Sequence, residues 1–425
     1  MKFAPFLLMT FFFISCGTDN DIYNDNDFSF DTDNDEEFFD DEVKNKFDFS
    51  LESQTIEGTI SRDIASCGEF VVGCGEDSGN AFVFKMKDGS VVWRKELDEY
   101  FVQSLNSVSC DPVNGRVIVG GDRTKAGETR SSGFIAVLDR NGEVVWEENI
   151  RSEGSAAVYS VAYTDLGFFI IGGRKEVVDE DTGLKRTDGF MSKYYIDGER
   201  VFTTVFGTPS FDTVQSVAMG ADRFYFAGGY SAGNMATGSS VNNSETGMSG
   251  FLVKLKPNGD IHWRKNIDMN TVWKINSKQS GLLFVGGEKT VDKKRYGIVI
   301  QTGLDGRSQF EHHFDSHNGV TVTGIDIDHR ETIYITGYID SDFSKKYELR
   351  SDDIISNTNN IFLSVFNIRT KESLYTKFYG SRDQDLVPKV VLDDNLVPHV
   401  LHYSLESFQS REGYVTMTRF LSSDL

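Results

Sequence analysis

The sequence SGFIAVLDRNGEVVWEENI, residues Ser132–Ile150, decides the fold because the chain repeats it in altered form. Each copy has an alternating apolar run, a turn such as Asn-Gly or Asp-Gly, and a second alternating run. These turn residues accept the positive φ angles of a tight turn, so each copy predicts a β-hairpin. The clear copies are Asn80–Leu97, Asp188–Phe206 and Ser249–Ile267, and the weaker ones are Tyr296–Phe314 and Asn360–Tyr379.

A second pattern precedes each hairpin and completes a repeating unit of four predicted strands. Its second strand usually ends in two glycines, as in VIVGG at 117–121 and LFVGG at 283–287. Its first strand carries one apolar landmark per unit, at Ile64, Val108, Val161, Val217, Ile275, Ile325 and Val390. The landmarks lie 44 to 65 residues apart, an interval typical of propeller blades.

The alternatives are a β-sandwich and a string of separate β domains. A unit of about 50 residues has too little core to fold alone, whereas blades in a ring pack against each other. The sequence therefore predicts an all-β fold, a seven-bladed β-propeller of four-stranded blades. Trp93, Trp146 and Trp263 share one position on the outer strand, and we expect them to stack between blades rather than to bind a ligand.

The last unit supplies only three strands, at Lys389–Leu392, Val397–Tyr403 and Gly413–Phe420. An alternating run without a partner, Phe47–Ser53, lies ahead of the first unit. We predict that this run pairs on the outside of blade seven and closes the ring, which would also cover an open sheet edge.

The N-terminus indicates export. Met1–Ser15 has one lysine and an apolar run too short to cross a bilayer, which is typical of a signal peptide. Phe13 to Cys16 resembles the lipobox of bacterial lipoproteins, and the resemblance implies that Cys16 is lipidated. Gly17 in place of aspartate then favours the outer membrane over the inner one. An ordinary secretory signal is the alternative.

Three segments follow from this interpretation: a signal peptide at 1–15, a lipidated tether at 16–46 and the propeller at 47–425. Residues 19–42 contain twelve Asp or Glu and no Lys or Arg, so we expect the tether to be disordered. Asp31, Asp33 and Asp35 have the spacing of a calcium loop but lack its glycine and glutamate. The formal net charge of −22 argues against nucleic acid as a partner.

Cys67, Cys74 and Cys110 remain outside the leader, with no spacing typical of a zinc ribbon or c-type haem. Cys67 and Cys110 fall near the ends of corresponding strands in adjacent units. They are therefore a candidate disulfide, and buried free thiols are the alternative.

Four long polar insertions should cluster on one face, because a propeller places these loops together: Arg174–Thr187, Ser231–Met248, Ile339–Asn359 and Ser404–Glu412. Such loops suit binding of polar ligands or of a loosely held cation such as calcium. The alternative is that they are surface insertions without a binding role. No other cofactor is predicted.

Candidates for chemistry are few. His313, Asp315 and His317 could ligate a divalent metal, while His312 would point to the opposite face of its strand. Ser231 lies in a GxSxG pattern, but a nucleophile elbow needs a helix directly afterwards and a polar loop follows instead. The sequence therefore predicts no catalytic residue.

The units resemble the bacterial β-propeller repeat proteins, whose blades have the form GFLVKL-x-x-NG-x-x-x-W. Ser249–Ile267 and Val214–Tyr230 carry the resemblance best, and it extends over roughly 58–380. It implies an exported surface or periplasmic protein without an assigned reaction. The hairpins are also similar to the PQQ-type repeats of quinoprotein dehydrogenases, whose adjacent cysteine pair is absent here. They are similar too to a lipoprotein propeller of the outer-membrane protein assembly machine.

The leading functional prediction is a non-enzymatic binding or scaffolding module, anchored in the membrane by its lipid, whose loop-rich face meets a protein or glycan. The alternatives are a glycan-active or quinone-dependent enzyme with a site at the central channel, and an assembly helper. Acidic and aromatic side chains at the channel mouth would favour the glycan enzyme. A channel lined by Ser, Val and Ala would favour the scaffold.

Overall fold

The computed structural model describes most of the chain after residue 48. The described ranges are 49–97, 102–124, 128, 130–164, 167–178, 183–240, 244, 246–277, 281–316, 319–330, 332–339, 360–379, 384–405 and 413–422. The predicted signal peptide, Cys16 and the tether lie outside them. Within these ranges, no helix is long and apolar enough to cross a membrane.

The described residues form 28 strands. The first fifteen are β1 Phe49–Ile56, β2 Ile60–Cys67, β3 Phe70–Asp77, β4 Asn80–Lys87, β5 Ser90–Glu96, β6 Val102–Asp111, β7 Arg116–Arg123, β8 Ser132–Leu138, β9 Val144–Ile150, β10 Ala156–Tyr163, β11 Phe168–Val178, β12 Lys185–Tyr195, β13 Arg200–Phe206, β14 Asp212–Met219 and β15 Tyr225–Ser231. The others are β16 Ser249–Leu255, β17 Ile261–Asn266, β18 Thr271–Ser277, β19 Leu282–Val291, β20 Lys294–Gly303, β21 Ser308–Phe314, β22 Val320–Ile327, β23 Thr332–Ile339, β24 Asn360–Asn367, β25 Ser373–Tyr379, β26 Gln384–Leu392, β27 Pro398–Leu405 and β28 Gly413–Ser422.

These strands make seven antiparallel sheets of four strands each. Blades 1 to 6 are consecutive groups of four, from β2–β5 to β22–β25, and each hairpin predicted from the repeat forms its third and fourth strands. The landmark residues all lie on the innermost strands. Each innermost strand contacts the next, and β26 contacts β2, so the ring is closed. The prediction of a seven-bladed β-propeller is confirmed.

Blade 7 contains β26, β27, β28 and, on its outside, β1. The pairing runs the whole length of β1, from Phe49 opposite Ser422 to Ile56 opposite Val415. The predicted closing strand is confirmed, although the paired segment ends three residues later than Ser53.

The paired glycines of the second strands have a packing role. A Cβ added to Gly172 would lie 2.5 Å from Val217 on the first strand of the next blade. Gly120, Gly228 and Gly286 meet the next blade in the same way. The second glycine of each pair, such as Gly173, faces a carbonyl of its own first strand too closely to allow a side chain. The glycine pairs therefore set a short distance between neighbouring blades.

The three tryptophans of the outer strands also pack between blades. Trp146 of blade 2 lies against Gly198 in the hairpin turn of blade 3, where φ is 100° and a Cβ would collide with the indole ring. Trp93 and Trp263 meet the turns of the following blades at Gly142 and Gly306. The structural interpretation of these tryptophans is confirmed.

Two of the predicted insertions are more ordered than expected. In Arg174–Thr187, β11 continues to Val178 and β12 begins at Lys185, so most of this segment is an extended hairpin and not a loop. In the insertion that begins at Ser231, an isolated antiparallel β-bridge pairs Asn234 with Ser239. Residues 340–359 and 406–412 of the other two insertions lie outside the described ranges.

His312 on β21 packs into the seam between blades 5 and 6. Its ring lies 4.7 Å from the ring of Phe314 and 4.5 Å from that of Phe366, measured between centroids. Burial lowers the pKa of His312 to about 4, and the charge of His313 acts in the same direction. This histidine therefore belongs to the apolar packing between blades.

Replacing Phe49 tests the closing strand. Phe49 is 5% exposed and packs edge-on against Tyr375 of blade 6 and Phe420 of blade 7, at 4.9 and 6.0 Å between ring centroids. We expect Phe49→Ala to lower the free energy of unfolding by about 3–5 kcal/mol, measured by urea denaturation. The control Val92→Ala, at an exposed outer-strand position, should change it by less than about 0.5 kcal/mol. Equal effects of the two changes would show that β1 does not hold the ring.

Acid should destabilise the protein through His312. Its pKa is about 4 in the folded state against 6.5 unperturbed, so the unfolded chain takes up the proton first and stability falls as pH drops from 6.5 towards 4. We expect His312→Phe to remove up to about 2 kcal/mol of the stability difference between pH 7 and pH 4.5. Urea denaturation at both pH values measures it, with His262→Phe on the exposed part of β17 as control. An unchanged pH dependence in His312→Phe would contradict the assignment.

Candidate functional site

The seven inner strands share an irregularity near the end that carries the blade-to-blade connections. A β-bulge interrupts the pairing of each with its second strand, for example between Ser61 and Asp63 in blade 1. The bulge adds one residue to the strand, and in blade 7 it spans two. In blades 1 to 6 the extra residues next to the landmarks are Arg62, Asn106, Tyr159, Gln215, Trp273 and Thr323. In blade 2 a further shift lies between Val102 and Ser104.

The residue after the bulge, which directly precedes the apolar landmark, joins neighbouring blades. Ser107 Oγ accepts a hydrogen bond from Val161 N at 3.0 Å, and Ser160 Oγ accepts one from Val217 N at 3.0 Å. Ser216 Oγ repeats the contact with the next blade at 2.9 Å. Because each bond links one inner strand to the next, these side chains form a hydrogen-bonded belt around the channel.

Blade 1 carries a carboxylate in the belt position. Asp63 Oδ2 accepts hydrogen bonds from Ser107 Oγ at 2.6 Å and from Val108 N at 3.3 Å. Asp63 is 6% exposed, so this charge lies inside the molecule. A buried carboxylate needs such partners to offset the loss of hydration.

Blades 5 and 7 carry lysines in the belt position. Lys274 Nζ lies 3.8 Å from Asp63 Oδ1, and blades 5 and 1 are not neighbours, so this ion pair crosses the channel. Lys389 Nζ donates a hydrogen bond to Thr323 O at 2.8 Å. We call Asp63, Lys274 and Lys389 the channel floor.

The floor lysine of blade 7 lies in a mixed electrostatic field. Burial lowers the pKa of Lys389 to about 8, opposed by the charge of Asp63 and assisted by those of Lys274 and Arg62. Charges from blades 1 and 5 therefore act on the ammonium group of blade 7.

A second group of side chains lies on the loop-bearing side of the floor. It consists of bulge residues and of residues that follow the paired glycines, and we call it the mouth cluster: Arg62, Glu76, Asp122, Tyr159, Arg174, Tyr230 and Trp273. Arg62 Nη2 lies 3.4 Å from Glu76 Oε2, and Asn106 Nδ2 donates to Asp122 Oδ1 at 3.2 Å. The cluster thus contains two acid groups and two guanidinium groups.

Aromatic rings complete the mouth cluster. The Arg174 guanidinium lies 5.6 Å from the ring centroids of both Tyr159 and Phe211. Phe211 stacks on Tyr230 at 6.1 Å, and Tyr230 lies 6.5 Å from Trp273. The indole Nε1 of Trp273 is buried, and no group within the described ranges accepts its hydrogen bond.

The charges of the mouth cluster act across the channel. Burial raises the pKa of Asp122, and the hydrogen bond from Asn106 and the charges of Arg62 and Arg174 oppose that rise. Burial raises the pKa of Tyr159 in blade 3 to about 12, with Arg62 of blade 1 among the charges that act on it. Blades 1 and 3 are not neighbours, so these side chains share the channel.

The two predicted metal ligands that the structure describes each contact another charged side chain. His313 Nε2 lies 2.5 Å from Glu311 Oε1, Lys294 Nζ donates to Asp315 Oδ2 at 2.8 Å, and His317 lies outside the described residues. Across the part of the chain that the structure describes, no group of three or more His, Cys, Asp or Glu could hold a metal ion. Ser231 ends β15, and the described residues 232–240 after it form no helix.

The structure joins Cys67 and Cys110 in a disulfide, with Cα atoms 5.3 Å apart. It links the last residue of β2 to the end of β6, at the side of the channel opposite the loops. Cys74 is free and buried, and burial raises its pKa well above the ordinary value. Such a thiol is poorly reactive because little thiolate forms.

Sequence reasoning missed both the channel floor and the mouth cluster, although a signal was present. The residue before each apolar landmark is Asp, Ser, Ser, Ser, Lys, Gly and Lys from blade 1 to blade 7. Serine at this position in three blades indicates that it has a structural role there. The two lysines at the same position depart from that role. Alignment of the landmarks would have shown the exceptional lysines, but not that Lys274 pairs with Asp63 or that the mouth cluster forms.

Comparisons with known proteins show the fold and no more. No protein-family model matches the sequence, and no curated protein matches it significantly. Among solved structures, the chain is similar to hydrazine synthase of Kuenenia stuttgartiensis, with 9% identity, a TM-score of 0.54, and coverage of 85% of this chain and 96% of that one. It is similar to the WD40 domain of Toxoplasma gondii coronin, with 8% identity, a TM-score of 0.51 and 88% coverage of both chains. At such identities the shared feature is the β-propeller architecture.

Proposed function

We propose that this protein is a binding module of the bacterial cell envelope that recognises a glycan at the loop-bearing mouth of its channel. The observation that carries the proposal is the mouth cluster, in which carboxylates, guanidinium groups and stacked aromatic rings come together on the loop-bearing side of the channel floor. Sugar rings present both hydroxyl groups and apolar faces, so they suit this combination of hydrogen-bonding groups and ring faces.

The form of the channel supports binding from one side. The ion pair between Lys274 and Asp63 spans the channel below the mouth cluster, at 3.8 Å. A ligand would therefore enter a recess from the loop-bearing face and would not pass through the ring. Trp273 Nε1, buried without an acceptor among the described residues, would find one in a ligand hydroxyl group.

The envelope location rests on the sequence of the leader. The lipobox-like residues ending at Cys16 support lipid anchoring, and Gly17 supports the outer membrane. A disulfide between Cys67 and Cys110 agrees with an exported protein, since disulfides persist in oxidising compartments.

A glycan-active enzyme is the second candidate, and Asp122 is the observation that favours it. Burial raises the pKa of Asp122, and a buried carboxyl group with a raised pKa in a cluster of polar groups is a candidate general acid. Its charge environment includes Glu76. The same experiment separates the two candidates, because an enzyme would release shortened products that mass spectrometry detects.

The mouth cluster is tested with an oligosaccharide array probed with the purified full chain. We expect saturable binding to at least one glycan class, and we expect Tyr230→Ala and Trp273→Ala each to weaken it about tenfold or more, because loss of a stacked ring removes contact area. Calorimetric titration with the selected glycan measures the change in Kd.

Tyr195→Ala is the matched control for Tyr230→Ala. Tyr195 is 40% exposed at the end of β12, next to the hairpin turn on the opposite face. Its removal should leave Kd unchanged. Absence of binding to every glycan, or equal weakening by Tyr195→Ala, would contradict the proposal, and product release abolished by Asp122→Asn would establish the enzyme instead.

The anchor is tested by labelling with a radioactive fatty acid in a bacterial host. We expect the wild-type chain to incorporate label and to sediment with membranes, because the thiol of Cys16 is the acceptor of the lipid. Cys16→Ser should lose both properties, whereas Cys74→Ser, which changes a buried thiol of the propeller, should keep them. Label in Cys16→Ser, or none in the wild type, would contradict lipidation at this residue.

A further inference from the structure

The channel floor has more cationic hydrogen-bond donors than it has partners for them. Lys274 Nζ is 3.8 Å from Asp63 Oδ1, beyond hydrogen-bond distance, and no described residue accepts a hydrogen bond from it. Lys389 Nζ donates one bond, to Thr323 O at 2.8 Å. An ammonium group has three donors, so within the described ranges several donors of these two lysines have no acceptor.

Arg62 adds a third cation above the floor. Its Nη2 is paired with Glu76 at 3.4 Å, but its Nε is buried and has no acceptor within the described ranges. The charge of Arg62 acts on the pKa of Lys389, and the two residues lie on the neighbouring inner strands of blades 1 and 7. Donors from blades 1, 5 and 7 therefore converge on one region.

The charges of this region do not cancel. In the mouth cluster, Arg62 and Arg174 are balanced by Glu76 and Asp122. On the floor, Lys274 and Lys389 face a single carboxylate, Asp63, whose Oδ2 already accepts two hydrogen bonds from blade 2. The floor thus has one cation more than it has carboxylates, in a chain whose formal net charge is −22. A local positive site inside an acidic molecule selects for an anion at that point.

We propose that the channel floor is a binding site for a single oxyanion group, such as a sulfate or carboxylate, held by Lys274 and Lys389 with Arg62 above them. The group is either a free anion or the acidic substituent of a glycan that occupies the mouth cluster. The glycan alternative depends on the proposed function, whereas binding of a free anion does not.

Titration of the full chain with sodium sulfate, in chloride buffer of constant ionic strength, tests the site. We expect saturable binding, and we expect Lys274→Gln and Lys389→Gln each to weaken it by about tenfold or more, since each removes a charge-assisted hydrogen bond. The control is Lys256→Gln in the exposed turn between β16 and β17, which should bind as the wild type does. A general effect of sulfate on the stability of the folded protein would be the same in all variants.

The folding of the variants is checked by circular dichroism and thermal unfolding. Lys274→Gln leaves Asp63 without its cation, so the double variant Asp63→Asn/Lys274→Gln, which restores neutrality, is measured beside it. This double variant should fold and should not bind sulfate. The floor site is overturned if this double variant binds sulfate as tightly as the wild type does, or if the wild type shows no saturable binding.

A second titration uses acidic and neutral oligosaccharides of equal length. Tighter binding of the sulfated or uronic acid form, lost in Lys389→Gln, supports the glycan source of the anion. If the wild type and Lys389→Gln both bind the neutral and acidic forms equally, the proposed glycan binding stands, and the proposal that the floor binds the acidic group of the glycan is overturned. Sulfate binding that depends on the lysines, with no oligosaccharide bound, supports a free anion and overturns the proposed function.

Discussion

The pairing of β1 with β28 is the constraint on which the rest of the molecule depends, because a blade of this size buries enough surface only when both of its neighbours are present. The same closure creates the channel floor. Lys389 belongs to blade 7, while Asp63 and Arg62 belong to blade 1, and the last and first blades are held side by side by a strand taken from the opposite end of the chain. The charged centre of the protein is thus a product of ring closure rather than of any single blade.

The diameter of the ring is set by small residues at the contacts between blades. Gly120, Gly172, Gly228 and Gly286 let branched apolar side chains of the next inner strand approach the second strand closely. Close spacing of the blades makes a narrow channel, in which the side chains of blades 1 and 5 can reach each other. A larger residue in place of these glycines would widen the seams, and it would then separate the two halves of the floor.

Local patterns in the sequence predicted the hairpins, the number of blades and the closing strand, because each depends on alternation or turn chemistry over fewer than twenty residues. The extended hairpin of β11 and β12 was missed since its outer part carries charged residues and packs against no core, so alternation gives no burial signal there. The floor could not be predicted in this way. Asp63 and Lys274 are more than two hundred positions apart, and only the closed ring brings them within 3.8 Å.

The lysines of the floor are difficult to explain as structural residues. A serine in the belt position accepts a hydrogen bond from the next blade, as Ser107, Ser160 and Ser216 do, whereas an ammonium group has no lone pair to accept one. Lysine in blades 5 and 7 therefore replaces that contact with others, to Asp63 across the channel and to Thr323 O of blade 6, and it adds the cost of burying a charge. Burial holds the pKa of Lys389 at about 8, so near neutral pH the group stays charged in a place that disfavours the charge. The proposed anion accounts for a buried charge at a position where serine fits, because such a ligand compensates the charge when it binds.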